Sequence, residues 1–196
     1  MTPLWIGIGI IAVVVVWVIA TYNSFVKLTQ RTKEAWADID VQLKRRYDLI
    51  PNLVETVKGY ASHERETLDA VISARAEATK VHVDPSNITP EQITAMAGAE
   101  ASLGSALGRL LALSEAYPDL KANTNFAQLQ NELVDTENKI QAARRFYNAA
   151  VRDYNTKLQV FPTVLFAALL GFTKREFFEL DEAEQAKAEK PVDVKF

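Results

Sequence analysis

The sequence predicts an all-α protein, an N-terminal single-pass transmembrane helix followed by an elongated antiparallel four-helix bundle. Three observations carry this. Residues 4–20, "LWIGIGIIAVVVVWVIA", hold no charge and no strong polar group. The long stretches that follow place apolar residues three and four apart, the repeat of a helix with one buried face. No stretch requires a strand. At 196 residues the chain has room for one ordinary domain and one appendage. The expected division is an anchor over residues 1–24, a bundle over 25–180 and an acidic flexible tail over 181–196.

The anchor comes first. Extended through Thr21 and Tyr22, the apolar run makes a helix that spans close to the ~30 Å of bilayer hydrocarbon. Leu4, Ile8, Val14 and Ile19 are lipid-facing candidates, and Trp5 and Trp17, with Tyr22, stand near the two edges, where amphipathic rings settle. A cleaved signal peptide would need a positive n-region, a shorter apolar core and a small-x-small site. "IATYN" is a poor cleavage site, so retention as an anchor is expected. Lys27, Arg31 and Lys33 follow the run while no side-chain cation precedes it, which orients the bulk of the protein to the cytoplasm. Gly7 and Gly9 are too closely spaced for a small-xxx-small pairing ridge.

From residue 25 to about residue 80, Trp36, Leu43, Ile50, Val57 and Val71 keep a heptad phase, with Ile39, Tyr47, Val54, Ala61 and Leu68 between them. A straight helix of that length would reach ~80 Å, so a bend is expected. Pro51 is its expected place, since it removes one backbone bond and crowds the carbonyl of Tyr47. The stripe keeps phase across it, which predicts a kink and not a stop.

"VHVDPSNITPEQ" reads as a loop. Thr89 then caps a second helix, with Pro90 at the first helical position, Glu91 on the dipole and Gln92 closing a capping box. This helix should run to about Tyr117 and stop at Pro118, and its Gly104 and Gly108 offer a surface for close helix approach. After the loop "YPDLKANT", a third long helix spans about 125–159 through Leu129, Leu133, Ile140, Tyr147, Ala150, Tyr154 and Leu158. Past Pro162, "TVLFAALLGF" predicts a short apolar helix capped by Gly171. Its Leu165 and Phe166, with the following Phe172, are candidates for a partner surface. The plainer alternative, favoured because large exposed apolar patches are rare in monomers, is a fourth helix covering the open end of the bundle.

Composition excludes several chemistries. The formal net charge is −3, so no broad basic face exists for nucleic acid. Cysteine is absent, which removes thiol catalysis and thiolate metal sites. "HERET" at His63 resembles a zinc-protease motif, yet position 67 is threonine and His82 lies in a loop. A metal-dependent hydrolase is therefore a remote reading, and no catalytic residue, metal or other cofactor is expected. Asp38 with Asp40 and Glu64 with Glu66 stand on different helix faces, and no nucleophile turn or glycine-rich phosphate loop is present.

Lys44, Arg45 and Arg46 are adjacent cations that fan over about 200 degrees of a helix. They are kept as partner-surface candidates, although a solvated face paired with Asp40 or Asp48 is the favoured account. Glu137, Arg144 and Arg75 are expected either to snorkel at the bundle edge or to form a buried register-fixing network.

The strings "YNSFVKLTQRTKEAWADIDVQLKRRYDLIPNLVETVKGYASHERETL", "ARAEA", "YPDLKAN", "NFAQLQNELVDTENKIQAARRFYNAAVRDYN" and "FPTVLFAALLGF", taken in order, resemble the LemA family of bacterial membrane proteins. The resemblance covers nearly the whole chain, though the tail beyond Leu180 carries no usable motif. It implies a helix in the bacterial inner membrane with a short outer tail, a cytoplasmic four-helix bundle, and no established enzymatic activity. The expected function is a membrane-anchored scaffold or adaptor, with the lipid bilayer, other membrane proteins or a second copy as partners. A bilayer-binding or membrane-shaping role is the alternative.

Overall fold

The computed structural model describes residues 2–178. The expected acidic tail lies outside the described residues. Among those residues the regular elements are helical: α1 (Thr2–Lys58), α2 (Arg65–Lys80), α3 (Pro90–Ser114), a single turn α4 (Pro118–Lys121), α5 (Thr124–Gln159) and a 3-10 turn (Thr163–Leu165).

The N-terminal part of α1 is apolar and exposed, from Leu4 to Ile19, and is long and apolar enough to cross a membrane. The same helix continues as the first strut of the bundle. Its 57 residues correspond to ~85 Å of unbroken helix. Chain direction then alternates: α2 returns along α1, α3 runs outward again and α5 comes back antiparallel to α1. Pairings such as Arg31 with Asp153, Trp36 with Tyr147 and Arg46 with Glu137 set the α1–α5 register.

Three core clusters lie along α1. Phe25, Tyr154 and Ala167 form the one nearest the apolar run. Trp36, Ile39, Leu43, Ile140 and Tyr147 belong to the middle one, and Ile50, Val57, Leu68, Leu103, Leu110 and Phe126 to the distal one. Serial clusters of this kind are what an elongated bundle produces when facing heptad stripes meet.

The kink-not-stop expectation at Pro51 meets a helix that does pass through it. The chain instead turns at residues 59–64, so the expected single stretch from 25 to 80 is corrected to two helices. Gly59 is the weak point, being a poor helix former, and the bonds Tyr60 N–H to Val57 O and Glu64 N–H to Ala61 O at 3.0 and 3.1 Å close two tight turns. The apolar phase survives because Val57, Ala61, Leu68 and Val71 all bury into the distal core from both sides of the turn.

The Thr89 capping box is present: Gln92 N–H donates to Thr89 Oγ1 and Thr89 N–H to Gln92 Oε1. α3 ends at Ser114, earlier than expected, because Pro118 opens a separate helical turn that buries Leu120. Asn123 caps α5 by accepting from Phe126 N–H at 2.9 Å.

The expected apolar fourth helix is corrected. Residues 163–165 make a 3-10 turn and residues 166–171 continue as further turns. Gly171 does terminate them, at φ 78°. Its N–H reaches Ala168 O while Phe172 N–H reaches Ala167 O, both at about 3 Å, the paired bonds of a Schellman motif. The close helix approach expected at Gly104 and Gly108 does not occur among the described residues, since a Cβ at either would meet nothing within 4 Å there.

Candidate functional sites: a buried charge cluster, a clamped strap and an apolar elbow

Of the three cations, Lys44 and Arg45 are exposed, and Arg45 faces Asp135 of α5 at 4.0 Å. Arg46 is corrected: it is 5% exposed and cannot serve as a surface residue. It occupies a core position of the stripe, seven residues from both Ile39 and Leu53. Its guanidinium pairs with Glu100 of α3, which is itself buried, and with Glu137 Oε2 of α5 at 2.5 Å. A planar cation with several donors suits such a double contact.

The neighbouring Tyr47 hydroxyl donates to the other oxygen of Glu100. Burial raises the Tyr47 phenol above its ordinary value, against the lowering pull of Arg46, so it remains a donor. Arg75 Nε of α2 donates to the Tyr47 carbonyl at 2.7 Å, the carbonyl left without its helical donor by Pro51. "RRYDLIP" therefore ties together all four long helices. The expected network of Glu137, Arg144 and Arg75 has different members: Glu137 pairs with Arg46, Arg75 serves the backbone, and Arg144 lies 4.4 Å from the Phe178 ring centre.

The second site is a strap, residues 172–178, laid along α5. Asn155 donates to Arg175 O and accepts from Arg175 N–H at 2.8 and 2.9 Å. Asn148 does the same to Phe178, at 3.0 and 2.8 Å. Seven helical residues rise ~10.5 Å, and three residues of near-extended chain span ~10 Å, so the two clamps are in register. The Tyr147 hydroxyl adds a bond to Glu176 O at 3.0 Å, and Phe178 packs on Trp36.

Asn155→Ala removes two of these bonds, each worth ~1 kcal/mol net. The expected result is several-fold faster trypsin cleavage after Lys174 and Arg175 with the main unfolding transition little changed, because the strap opens locally. Limited proteolysis followed by mass spectrometry checks it.

Burial pushes the Tyr147 phenol up to about 12 from an ordinary 10.0, Glu176 adding to the rise and Arg175 opposing it. The folded protein then keeps a proton that the unfolded chain releases. The corresponding stability is fully present below pH 10.0 and is lost as pH climbs toward about 12. In a spectrophotometric titration Tyr147 should ionise with alkaline unfolding, and Tyr147→Phe should remove that component.

The third site joins the apolar elbow to α1. Phe166 meets Trp17 edge to face at 5.4 Å, Phe172 stacks on Phe25 at 4.4 Å and approaches Tyr22 at 5.7 Å. Leu165 stands 60% exposed. Phe166 and Phe172 are thus half-buried against α1 while Leu165 faces outward.

Sequence reasoning missed Glu100, Asn148 and Asn155. Each carried a signal. Glu100 interrupts the stripe Ile93, Met96, Leu103, Leu107, Leu110 at a core position, and the asparagines follow Tyr147 and Tyr154 at the same seven-residue spacing. His63 and His82 do not join a site: among the described residues no three metal-ligating side chains converge.

The profile of the LemA family matches residues 35–196. The chain belongs to the LemA family. Among curated relatives, this LemA-family chain is similar to Magnetosome protein MamQ 1 and MamQ 2 of Paramagnetospirillum magneticum, each 28% identical over 175 residues that cover 81% of this chain and 64% of the relative. It is also similar to Protein LemA of Metamycoplasma hominis, at 26% identity over 163 residues, 83% of this chain and 71% of that one. The chain spans 64% of the length of the MamQ relatives. These relatives and the apolar helix place this LemA-family chain among membrane-associated proteins, and no relative's name specifies a reaction.

Proposed function

We propose that this LemA-family protein is a membrane-anchored helical scaffold or adaptor without enzymatic activity. In this reading residues 1–24 form the single-pass anchor of a bacterial inner membrane, the N-terminus lies outside, and the bundle over 25–180 stands in the cytoplasm. The cations Lys27, Arg31 and Lys33 after the apolar run support that orientation. The observation that carries the proposal is α1 itself, in which the exposed apolar run and the buried bundle strut are one unbroken helix. A helix held on several sides by packed neighbours transmits position rigidly, so the bundle presents its outer faces at a set height and angle above the membrane.

The polar side chains of the buried cluster and of the strap clamps are spent on internal bonds: the cations of the cluster are paired, and the asparagines are engaged by backbone. The outer face of α3, with Ala95, Gly98, Ser102 and Ser105 exposed, is the presenting surface we favour for other membrane proteins or a second copy. The test is photo-crosslinking in cells from position 95 or 105 of the full-length protein. Reproducible adducts with one membrane protein, or with itself, support the scaffold. Adducts only within the chain, from both positions, overturn it.

A further inference from the structure

The elbow over residues 160–171 lies where a bundle residue should not be, beside the membrane-crossing part of α1. α5 ends at Gln159. The chain beyond it does not turn away but carries Phe166 to Trp17 and Phe172 to Tyr22. If Tyr22 marks the hydrocarbon edge, Trp17 lies five residues inside it, or ~7 Å. We propose that this elbow is a second, shallow membrane contact whose ligand is the phospholipid leaflet at the Tyr22 end of α1. The inference rests on the reading that residues 4–20 span the bilayer.

Three independent features favour lipid as the occupant. The outward side chains are all apolar: Phe161 is 79% exposed, Leu165 60% and Leu169 83%, with Val160 and Val164 beside them. In water such a group would be costly, whereas apolar faces buried ~5–10 Å into the boundary of headgroups and acyl chains are stabilised. The patch also adjoins the apolar run of α1: Phe166 meets Trp17, and Val14, one turn before Trp17 on the same side of the helix, is an exposed apolar residue.

Next, the backbone is prepared for a dry setting. Seven amide N–H groups between Val164 and Phe172 find carbonyl partners within residues 160–168, and Pro162 has none to satisfy. Irregular chain with open amides is excluded from hydrocarbon, and this compact turn meets much of that requirement by itself.

Finally, charge stops at the right places. Residues 158–173 contain no ionisable side chain, while Lys157 precedes them and the exposed Lys174 follows, with the exposed Lys27 one turn beyond Tyr22 on α1. Cations just outside an embedded apolar segment meet the phosphate layer.

The absence of cysteine from the sequence makes the test direct. Single variants Phe161→Cys, Leu169→Cys, Val14→Cys and Ser105→Cys of the full chain are labelled with an environment-sensitive fluorophore. They are then reconstituted into vesicles of phosphatidylcholine and phosphatidylglycerol. Quenching by nitroxide-bearing phospholipid is compared with quenching by aqueous iodide. The expected result is blue-shifted emission at 161 and 169, with several-fold stronger lipid quenching and weaker iodide quenching than at 105. Iodide quenching at 161 and 169 equal to that at 105, while position 14 remains lipid-quenched, overturns the elbow contact and leaves the anchor standing. Shielding of 161 and 169 from both quenchers overturns it too, by showing that protein covers the patch. Loss of lipid quenching at position 14 removes the anchor reading and this inference with it.

Discussion

Replacing Arg46 by methionine should destabilise the bundle by about 3–5 kcal/mol, the cost of leaving a buried carboxylate without its counter-charge. Glu100 is 8% exposed, so water cannot replace the guanidinium, and the Tyr47 hydroxyl alone satisfies a single oxygen. Glu137, whose side chain is 43% exposed, can relax into solvent and contributes less to the loss. The companion experiment is the double variant Arg46→Met with Glu100→Leu, which removes both charges. It should recover most of the stability, because apolar replacement of a buried ion pair is often neutral or better. Arg46→Lys should fall between, since an ammonium cannot present a planar fork to carboxylates on two helices. Arg45→Met is the control: its contact with Asp135 at 4.0 Å is exposed and should be worth about 0–1 kcal/mol. Urea unfolding of all four variants decides the matter. An Arg46→Met cost no larger than that of Arg45→Met would show that the cluster does not hold α1, α3 and α5 together.

Arg75→Leu should cost about 1.5–3 kcal/mol, the range for a hydrogen bond from a charged donor, and the cost should depend on residue 51. With proline there, the Tyr47 carbonyl has no donor from its own helix, and Arg75 Nε at 2.7 Å fills that place. In a Pro51→Ala background the alanine N–H restores the helical bond, so Arg75→Leu should lose about 1 kcal/mol less. Pro51 is exposed, which makes the exchange sterically mild. A double-mutant cycle by urea denaturation measures the coupling. Strict additivity would mean that Arg75 stabilises through packing alone.

The two results would also explain why a proline stands in the middle of a long helix. Its missing N–H gives the neighbouring helix an acceptor at one defined height on α1. A helix face made only of leucine and valine can slide by a turn at small cost, whereas a single free carbonyl and a single buried cation cannot be matched in another register.

Some of the molecule was legible residue by residue. The apolar run, the heptad stripes, the Thr89 capping box and the Gly171 terminus were read from the sequence because each is a local code: a side chain and the backbone within one turn of it suffice. Pro51 and the Tyr47 carbonyl were linked in the same way. The apolar segment after Pro162 was misread as a helix because its composition is helix-like, while its shape is set by packing on α1 and by Gly171.

What the sequence by itself determined, then, is that the chain is helical, where its apolar faces lie, and that its first helix can cross a membrane. Only the tertiary structure decided that the chain reverses at residues 59–64, that Arg46 alone of three cations is buried, that Asn148 and Asn155 hold a strap, and that Phe166 reaches Trp17. The turn at Gly59 was hidden by an apolar stripe that keeps its phase across it, and the other three share one physical reason. Periodicity tells which face of a helix avoids water, but the partner of that face, and hence the fate of every polar group on its margin, depends on residues tens of positions away in the chain.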